Sequence, residues 1–314
     1  MKNFFTISLA LIVLVFLAGC SKTESIVKVK PRTIVTSDGE IDDFDSFIRL
    51  LLYANEFDFE GLVYSSSRFH WSGDDLGTEV KQERRGVTTS ITSLRWCGTQ
   101  WMQDFISKYG MVYDNLLKHD PTYPEPDYLK SLIKVGNIEF EGDMSKETEG
   151  SNWIKSVLLD DEPGPLYLQV WGGTNTVARA LKSIEEEYKG TPEWQEIYSK
   201  ASEKAVIYII LDQDVTYREY VAPNWPDITV IYNRRQFGSF AYGWPRTTPE
   251  EMISCLEGPW FVENIKFNHG PLMESYYLWG DGQVIPGETD IYGDPALLEP
   301  RGRKQYDFVS EGDS

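Results

Sequence analysis

A dense cluster of carboxylate side chains lies near the start of the chain, within eight residues: Asp38, Glu40, Asp42, Asp43 and Asp45. So many negative charges repel one another unless a cation neutralises them. Carboxylate oxygens are the hard ligands that Ca²⁺ prefers, although the spacing is not that of an EF-hand loop. One or two of these carboxylates could instead cap a helix, but the cluster exceeds that need. It therefore predicts a divalent-cation site, with Ca²⁺ as the expected cofactor.

Two strands and a helix must position this cluster. The β-branched run from Thr33 to Ser37 predicts a strand that ends directly before Asp38. Apolar residues at helical spacing predict a helix from about Asp42 to Asn55, and the run from Phe59 to Ser65 predicts a second strand. Strand, helix and strand in this order form the βαβ unit of a parallel sheet, in which ligand sites lie at the carboxyl ends of the strands.

Strands continue to alternate with helices along the rest of the chain. This order predicts an α/β fold, a doubly wound and mostly parallel sheet flanked by helices. The polar segment from Asp74 to Arg95 predicts a loop or an insertion. Further strands are predicted from Leu166 to Val170, Ala205 to Leu211, Ile228 to Tyr232 and Tyr306 to Val309, and further helices from Trp101 to Leu117, Asp127 to Val135 and Thr174 to Tyr188.

The first residues have the pattern of a targeting signal. A basic residue precedes an apolar run from Phe4 to Ala18, and the residues Leu-Ala-Gly before Cys20 match the bacterial lipobox. An ordinary secretory signal or an N-terminal anchor helix is the alternative, although the run is short for a bilayer span. We expect a signal peptide over residues 1–20, a tether over residues 21–31, and lipidation of Cys20 that holds the protein on a membrane of the cell envelope. Because Ser21 and no aspartate follows the cysteine, the outer membrane is the expected location.

The composition argues against several other functions. The chain carries 49 acidic and 30 basic residues, a net charge of −19, which repels the phosphates of nucleic acids. Beyond Cys20, Cys97 and Cys255 are too few for a disulfide framework, and three histidines far apart in sequence do not predict a zinc site. The expected ligand is therefore a neutral, sugar-like molecule or a cation.

The acidic segment resembles the beginning of nucleoside hydrolases, where a strand runs into Asp-x-Asp-Pro-Gly-x-Asp-Asp and then into a helix. Asp38 falls on the second Asp of that motif, and Asp42 and Asp43 fall on the terminal pair. Thr36 replaces the first Asp, and Gly39-Glu40 replaces Pro-Gly. The resemblance implies that Asp38 is the catalytic base and a metal ligand, that Asp43 binds Ca²⁺, and that Asp42 orients a hydroxyl of the substrate.

A second segment, from Gln169 to Leu181, is similar to the family's strand, Thr-Gly-Pro-Leu-Thr-Asn turn and helix. The resemblance implies that Val170 gives its backbone carbonyl to calcium and that Asn175 binds substrate. The alternative is a simple strand-to-helix turn in which Asn175 is a cap.

A third segment keeps the histidine of the family's His-Asp pair as His269, an expected substrate contact, but has Gly270 in place of the metal-binding Asp. We expect Asp313 to supply the missing carboxylate. Together the three segments resemble the nucleoside hydrolase-like domain of bacterial cellulose-binding proteins. We expect this domain over residues 32–314, truncated at its C-terminus because such proteins continue into a β-rich domain.

Three functions are compatible with these features. The first is calcium-dependent hydrolysis of an N-glycosidic or related glycosidic bond in a nucleoside or carbohydrate ligand. The second is a non-catalytic protein that binds a cellulose-like glycan, and the third is a structural lipoprotein with an inert domain. Calcium-dependent release of a base or sugar separates the first from the second. The sequence leaves the substrate and the oligomeric state open.

Overall fold

The computed structural model of the chain describes residues 29–84, 86–235, 237–287 and 292–313. The expected signal peptide, with Cys20, lies outside these residues. Within them, no helix is both long and apolar enough to cross a membrane.

The core of the fold is a six-stranded sheet in which all strands are parallel. Its strands are β1 Arg32–Ser37, β2 Asp58–Tyr64, β5 Ile133–Val135, β6 Leu166–Val170, β7 Ala205–Ile210 and β8 Thr229–Asn233. They lie side by side in the order β5-β2-β1-β6-β7-β8. A separate antiparallel hairpin is formed by β3 Val80–Arg84 and β4 Val87–Ile91.

Helices cover both faces of this sheet. The longer helices are α1 Ile41–Leu52, α2 Trp101–His119, α3 Pro126–Ser131, α4 Glu149–Leu159, α5 Asn175–Tyr188 and α6 Trp194–Lys204. Side chains alternate between the faces: Val35 packs in the core under α1 and α2, and Ile34 packs in the core under α4, α5 and α6. Short helical turns follow at Ala54–Glu56, Tyr217–Val221, Ala222–Asn224, Phe237–Phe240, Trp244–Thr247, Glu250–Ile253, Ser254–Leu256, Gly258–Phe261, Val262–Lys266, Met273–Ser275, Pro295–Leu297 and Glu299–Arg301.

The neighbouring strands β1 and β6 form the switch point of the sheet. The helix after β1 packs on one face of the sheet and the helix after β6 packs on the other. The two segments that follow these strands therefore diverge at the carboxyl ends of β1 and β6. Such divergence opens a crevice, and this is where α/β sheets bind ligands. Asp38 is the first residue after β1 and therefore stands in this crevice.

The predicted fold class is confirmed, but two predicted elements are wrong. The segment from Asp74 to Arg95, predicted as a loop or an insertion, contains the β3–β4 hairpin, which lies outside the main sheet. The predicted helix from Asp127 to Val135 ends at Ser131, and its β-branched end pairs with β2 as strand β5. The predicted strand from Tyr306 to Val309 makes only one bridge, from Phe308 to Leu278, because its apolar residues are buried by core packing and not by a sheet.

Candidate functional site

The acidic loop after β1 is held in one conformation by its neighbours. Gly39 has φ +80, and a Cβ there would lie 2.4 Å from Cys97 Sγ, so this turn requires glycine. Helix α1 begins at Ile41, which places Asp42 and Asp43 in its first turn. The helix N-terminus favours negative charge, and the side chain of Asp43 accepts from the Ser37 hydroxyl and, over 3.2 Å, from the backbone N–H of Glu40.

Asp313 completes a group of three buried carboxylates with Asp42 and Asp43. One oxygen from each of the three lies within 4.8 Å of the others, and each residue is at most 2% exposed. Ligand oxygens about 2.4 Å from a Ca²⁺ ion lie at most about 4.8 Å apart, so one cation could bind all three. Among the described residues, nothing donates a hydrogen bond to Oδ2 of Asp313, although that atom is buried. A buried carboxylate oxygen without a donor fits a cation ligand.

The segment that ends in Asp313 is anchored on α1. The backbone N–H of Asp313 donates to Ser46 Oγ over 3.2 Å. Two residues before Asp313, Glu311 forms a 2.9 Å ion pair with Arg49. Asp45 takes no part in the group, because its Oδ1 accepts from the Tyr277 backbone over 2.8 Å. Helix α1 therefore carries two of the three carboxylates, Asp42 and Asp43, and also binds the segment that carries the third, Asp313.

A second acidic group contains a histidine that the sequence analysis did not select. His70 Nδ1 lies 3.6 Å from Asp38 Oδ2 and 3.7 Å from Glu40 Oε2, and His70 is fully buried. His70 follows the end of β2 by six residues, at the same edge of the sheet as Asp38, and this position could have indicated a role at the site. The three residues are close enough together to share an ion or a proton.

Aromatic side chains close the space above the carboxylates. Tyr242 donates to Glu40 Oε1 over 3.2 Å or to Asp42 Oδ1 over 3.3 Å, and its ring stacks on Tyr292 at 5.4 Å. They enclose what we call the acidic cavity, with a volume of about 300 Å³; its lining includes Glu40, Asp42, Asp43, Asp313, Phe69, Phe237, Tyr242 and Tyr292. Carboxylates beside aromatic rings suit a ligand with hydroxyl groups and apolar faces, such as a sugar.

The electrostatics divide the carboxyl groups into two kinds. Burial and the charge of Asp38 raise the pKa of Asp42 to about 6. Burial and the neighbouring carboxylates raise the pKa values of Asp43 and Asp313 well above the usual range. Burial alone would also raise the pKa of Asp38, but the nearby His70, together with Ser67 and Asp43, outweighs this effect and lowers that pKa. Asp38 is therefore the carboxylate best able to stay ionised without a cation.

Asp38 belongs to the group with Glu40 and His70 and is not among the residues that line this cavity, and the other predicted site residues also stand apart from it. Val170 is the last residue of β6 and pairs with Thr36, so it lies at the correct edge, and its carbonyl role stays a prediction. Asn175 is fully buried, and its amide nitrogen donates to Ser66 Oγ and to the Asn137 carbonyl, both at 2.9 Å. These bonds favour a structural role for Asn175, and its expected substrate contact stays a prediction.

His269 also differs from its expected position. It is exposed, and its Nε2 lies 2.8 Å from the carbonyl of Glu263 in a loop. It is not among the residues that line the acidic cavity. Because Gly270 adopts φ +88 directly after it, the loop turns here instead of continuing into an apolar helix. His70, and not His269, is the histidine at the cluster.

Comparison with known proteins gives one family and one fold. The family model described as "Cellulose-binding Sde182, nucleoside hydrolase-like domain" matches residues 32–314. A solved structure, a nucleoside hydrolase-related hypothetical protein from Saccharophagus degradans associated with carbohydrate metabolism, is 24% identical with a TM-score of 0.60. The match covers 87% of this chain and 55% of that protein, so the chain spans about half of its length. No curated protein matches the chain.

Proposed function

Because the chain belongs to the family of the nucleoside hydrolase-like domain of cellulose-binding Sde182, we propose that it hydrolyses an N-glycosidic or related glycosidic bond at a calcium site in the acidic cavity. One observation carries this proposal: Asp42, Asp43 and Asp313 bring carboxylate oxygens within 4.8 Å of one another in a buried space. Family membership associates the chain with carbohydrate, which agrees with the aromatic walls of the cavity.

The donor set fits Ca²⁺. Asp43 and Asp313 would bind the ion through their side chains, and Val170 would bind it through its backbone carbonyl. Asp42 would contact both the ion and a hydroxyl of the sugar. Bound calcium would supply a site that orients a water and vicinal hydroxyls and makes the water easier to deprotonate. Tyr242 holds Asp42 and Glu40 in place through its hydroxyl, so the carboxylates keep one arrangement.

Asp38 is the residue that takes the proton in this proposal. It is 2% exposed, its pKa is held low by His70, and Gly172 approaches it so closely that a Cβ there would lie 2.8 Å from its Cγ. The Asp38 carboxylate is therefore ionised, fixed and shielded from bulk water. As the bond to the leaving group breaks, positive charge develops on the sugar, and the surrounding carboxylates stabilise that charge.

A second function is favoured by specific departures from the family motif. Thr36 and Gly270 stand where nucleoside hydrolases carry aspartates, and none of Asp38, Asn175 and His269 lines the acidic cavity. A protein that binds a cellulose-like glycan without cleaving it needs the aromatic walls and the cation but no general base. This binding function is the alternative.

One experiment separates the two functions. Purified protein is incubated with a panel of nucleosides, aryl glycosides and oligosaccharides, with calcium or with chelator, and release of base or reducing sugar is measured. We expect calcium-dependent release, and a loss of about 100-fold or more in Asp38→Asn, since general base catalysis contributes at least this factor. Asp161→Asn, whose carboxylate is fully exposed, is the control. Calcium-dependent binding without release by the natural sequence would support the binding function instead.

A further inference from the structure

A second and larger cavity opens at the same edge of the sheet. It has a volume of about 600 Å³, and we call it the hairpin cavity because β3 forms one side of it through Lys81 and Gln82. Trp71 and Phe140 line it with their ring centroids 5.5 Å apart. Its volume lies within the usual range of small-ligand sites. No residue of the hairpin cavity has a role in the function proposed above.

Two loops contribute residues to both the hairpin cavity and the acidic cavity. In the loop after β2, Phe69 lines the acidic cavity and Trp71 lines the hairpin cavity. In the loop after β7, Gln213 faces the acidic cavity and Asp214 the hairpin cavity. Residues one or two positions apart in the same two loops therefore line the two cavities, so we infer that a ligand longer than one ring can contact both.

The loop that separates the cavities is strained. Leu211, which lines the acidic cavity, has φ +62, and Val215, which lines the hairpin cavity, has φ +60. Branched aliphatic residues rarely adopt positive φ, and β-branched residues least of all. Such backbone strain persists only where the surrounding structure enforces it, and it clusters at ligand sites. The surrounding structure therefore holds this loop, which contributes to both cavities, in one shape.

The lining of the hairpin cavity selects a class of ligand. Glu141, Asp214 and Glu219 are acidic, and Lys81 is the one basic residue among those that line it, so a phosphate group would be repelled. Phe140, which packs on the buried Trp71, provides a partly exposed apolar surface, and Gln82 provides a polar group. Rings with polar edges and apolar faces, which sugars have, match this combination.

We propose that the hairpin cavity is a subsite for a further unit of a neutral oligosaccharide, one end of which occupies the acidic cavity. The ligand of the protein is then at least two linked sugars and not a single nucleoside. This inference rests on the proposed function only in taking the acidic cavity to hold a sugar.

The test measures affinity against chain length. Calorimetric titrations with glucose and its β-1,4-linked dimer, trimer and tetramer are made in the presence of calcium. The Asp38→Asn variant is used so that cleavage of the ligand does not contribute to the measured heat. We expect affinity to rise about tenfold from the single sugar to the oligomers, the gain that one aromatic contact supplies. Phe140→Ala should remove this gain and leave the affinity for glucose unchanged. Gln82→Ala should reduce the gain, whereas Thr88→Ala, on the other strand of the hairpin and outside the cavity lining, should not.

The outcomes are distinguishable from failure of the proposed function. If the natural sequence releases base or sugar from a single nucleoside but oligomers bind no better than glucose, the subsite is refuted and hydrolysis stands. If no substrate is cleaved but the chain-length dependence is present and depends on Phe140, the subsite stands and hydrolysis fails. Equal weakening of glucose and oligomers by Phe140→Ala, or no binding of any oligomer, would also overturn the inference. Thermal unfolding of Phe140→Ala separates a local loss of contact from misfolding.

Discussion

The backbone N–H of Asp313 donates a hydrogen bond to the hydroxyl oxygen of Ser46 over 3.2 Å, across 267 residues of chain. Ser46 stands in α1, in the turn after Asp42 and Asp43. This bond therefore positions the third carboxylate of the acidic group opposite the first two. Because both partners are buried, water cannot replace the bond without a rearrangement.

Removal of this hydroxyl should weaken both the fold and the cation site. Ser46→Ala leaves the Asp313 N–H buried without its acceptor, which we expect to lower the free energy of unfolding by about 1–3 kcal/mol. Calcium affinity should fall as well, since the Asp313 carboxylate loses its anchor. Urea unfolding with and without calcium measures both effects. Ser107→Ala removes an exposed hydroxyl from α2 and should change stability by less than about 0.5 kcal/mol. Equal effects of the two variants would refute the anchor.

Calcium should stabilise the natural sequence through the acidic group. At a concentration about 100-fold above the dissociation constant, a cation that binds only the folded state adds about 2.7 kcal/mol, a rise of about 5 °C in Tm. Asp43→Asn and Asp313→Asn should each abolish this rise without lowering the calcium-free Tm by a similar amount, because each removes a buried negative charge from a group of like charges. Scanning calorimetry measures Tm. A full calcium response in either variant would show that the cation binds elsewhere, and Asp161→Asn is the control with an exposed carboxylate.

The calcium response should depend on pH in a defined direction. Burial raises the pKa of Asp42 from 3.8 to about 6 and that of Glu311 to about 7. An acid whose pKa is raised by folding stabilises the fold while it is protonated, and that contribution is lost as the pH rises through the folded pKa. Without calcium, the free energy of unfolding should therefore fall between about pH 4 and pH 7. Calcium competes with the proton on Asp42, so the calcium-induced rise in Tm should be larger at pH 8 than at pH 5. A rise independent of pH would contradict the assignment of Asp42 to the cation site.

Attachment to a membrane should depend on Cys20. The apolar run and the Leu-Ala-Gly before this cysteine predict lipidation, so Cys20→Ala should move the expressed protein from the membrane fraction to the soluble fraction of the envelope. Fractionation followed by metabolic labelling with a fatty acid measures attachment. Cys255→Ala, which removes an exposed cysteine of the folded part, should have no effect. Normal membrane attachment of the Cys20→Ala protein would rule out this anchor.

Local patterns allowed the acidic loop to be predicted, and distant parts of the chain did not follow from them. Asp38, Asp42 and Asp43 lie between a strand and a helix with clear periodicity, so the edge they occupy could be inferred. His70 lies in a loop after β2, and the path of a loop cannot be predicted from periodic patterns, so its contact with Asp38 could not be inferred. Tyr242 lies in a region of short helical turns, where pairing between distant side chains decides its position.

The position of Asp313 beside the acidic loop was predicted from a strand that the structure does not contain. It was expected to emerge from a strand at the edge where Asp38 lies, and the structure brings it to Asp42 and Asp43 along an extended segment with a single bridge. The apolar residues Phe308 and Val309 are buried in the core, and this packing accounts for the short apolar run that resembled a strand. Burial and strand pairing leave the same signature in sequence.

The sequence separation within the cation site also has a kinetic consequence. Contacts between residues as far apart as Ser46 and Asp313 close a very long loop, so they form late in folding. A cation at the proposed site would then bind only after the transition state, so calcium should slow unfolding while leaving the folding rate unchanged. Calcium would then determine how long each folded molecule lasts, whereas the speed at which the chain reaches that state would depend on the strands and helices alone.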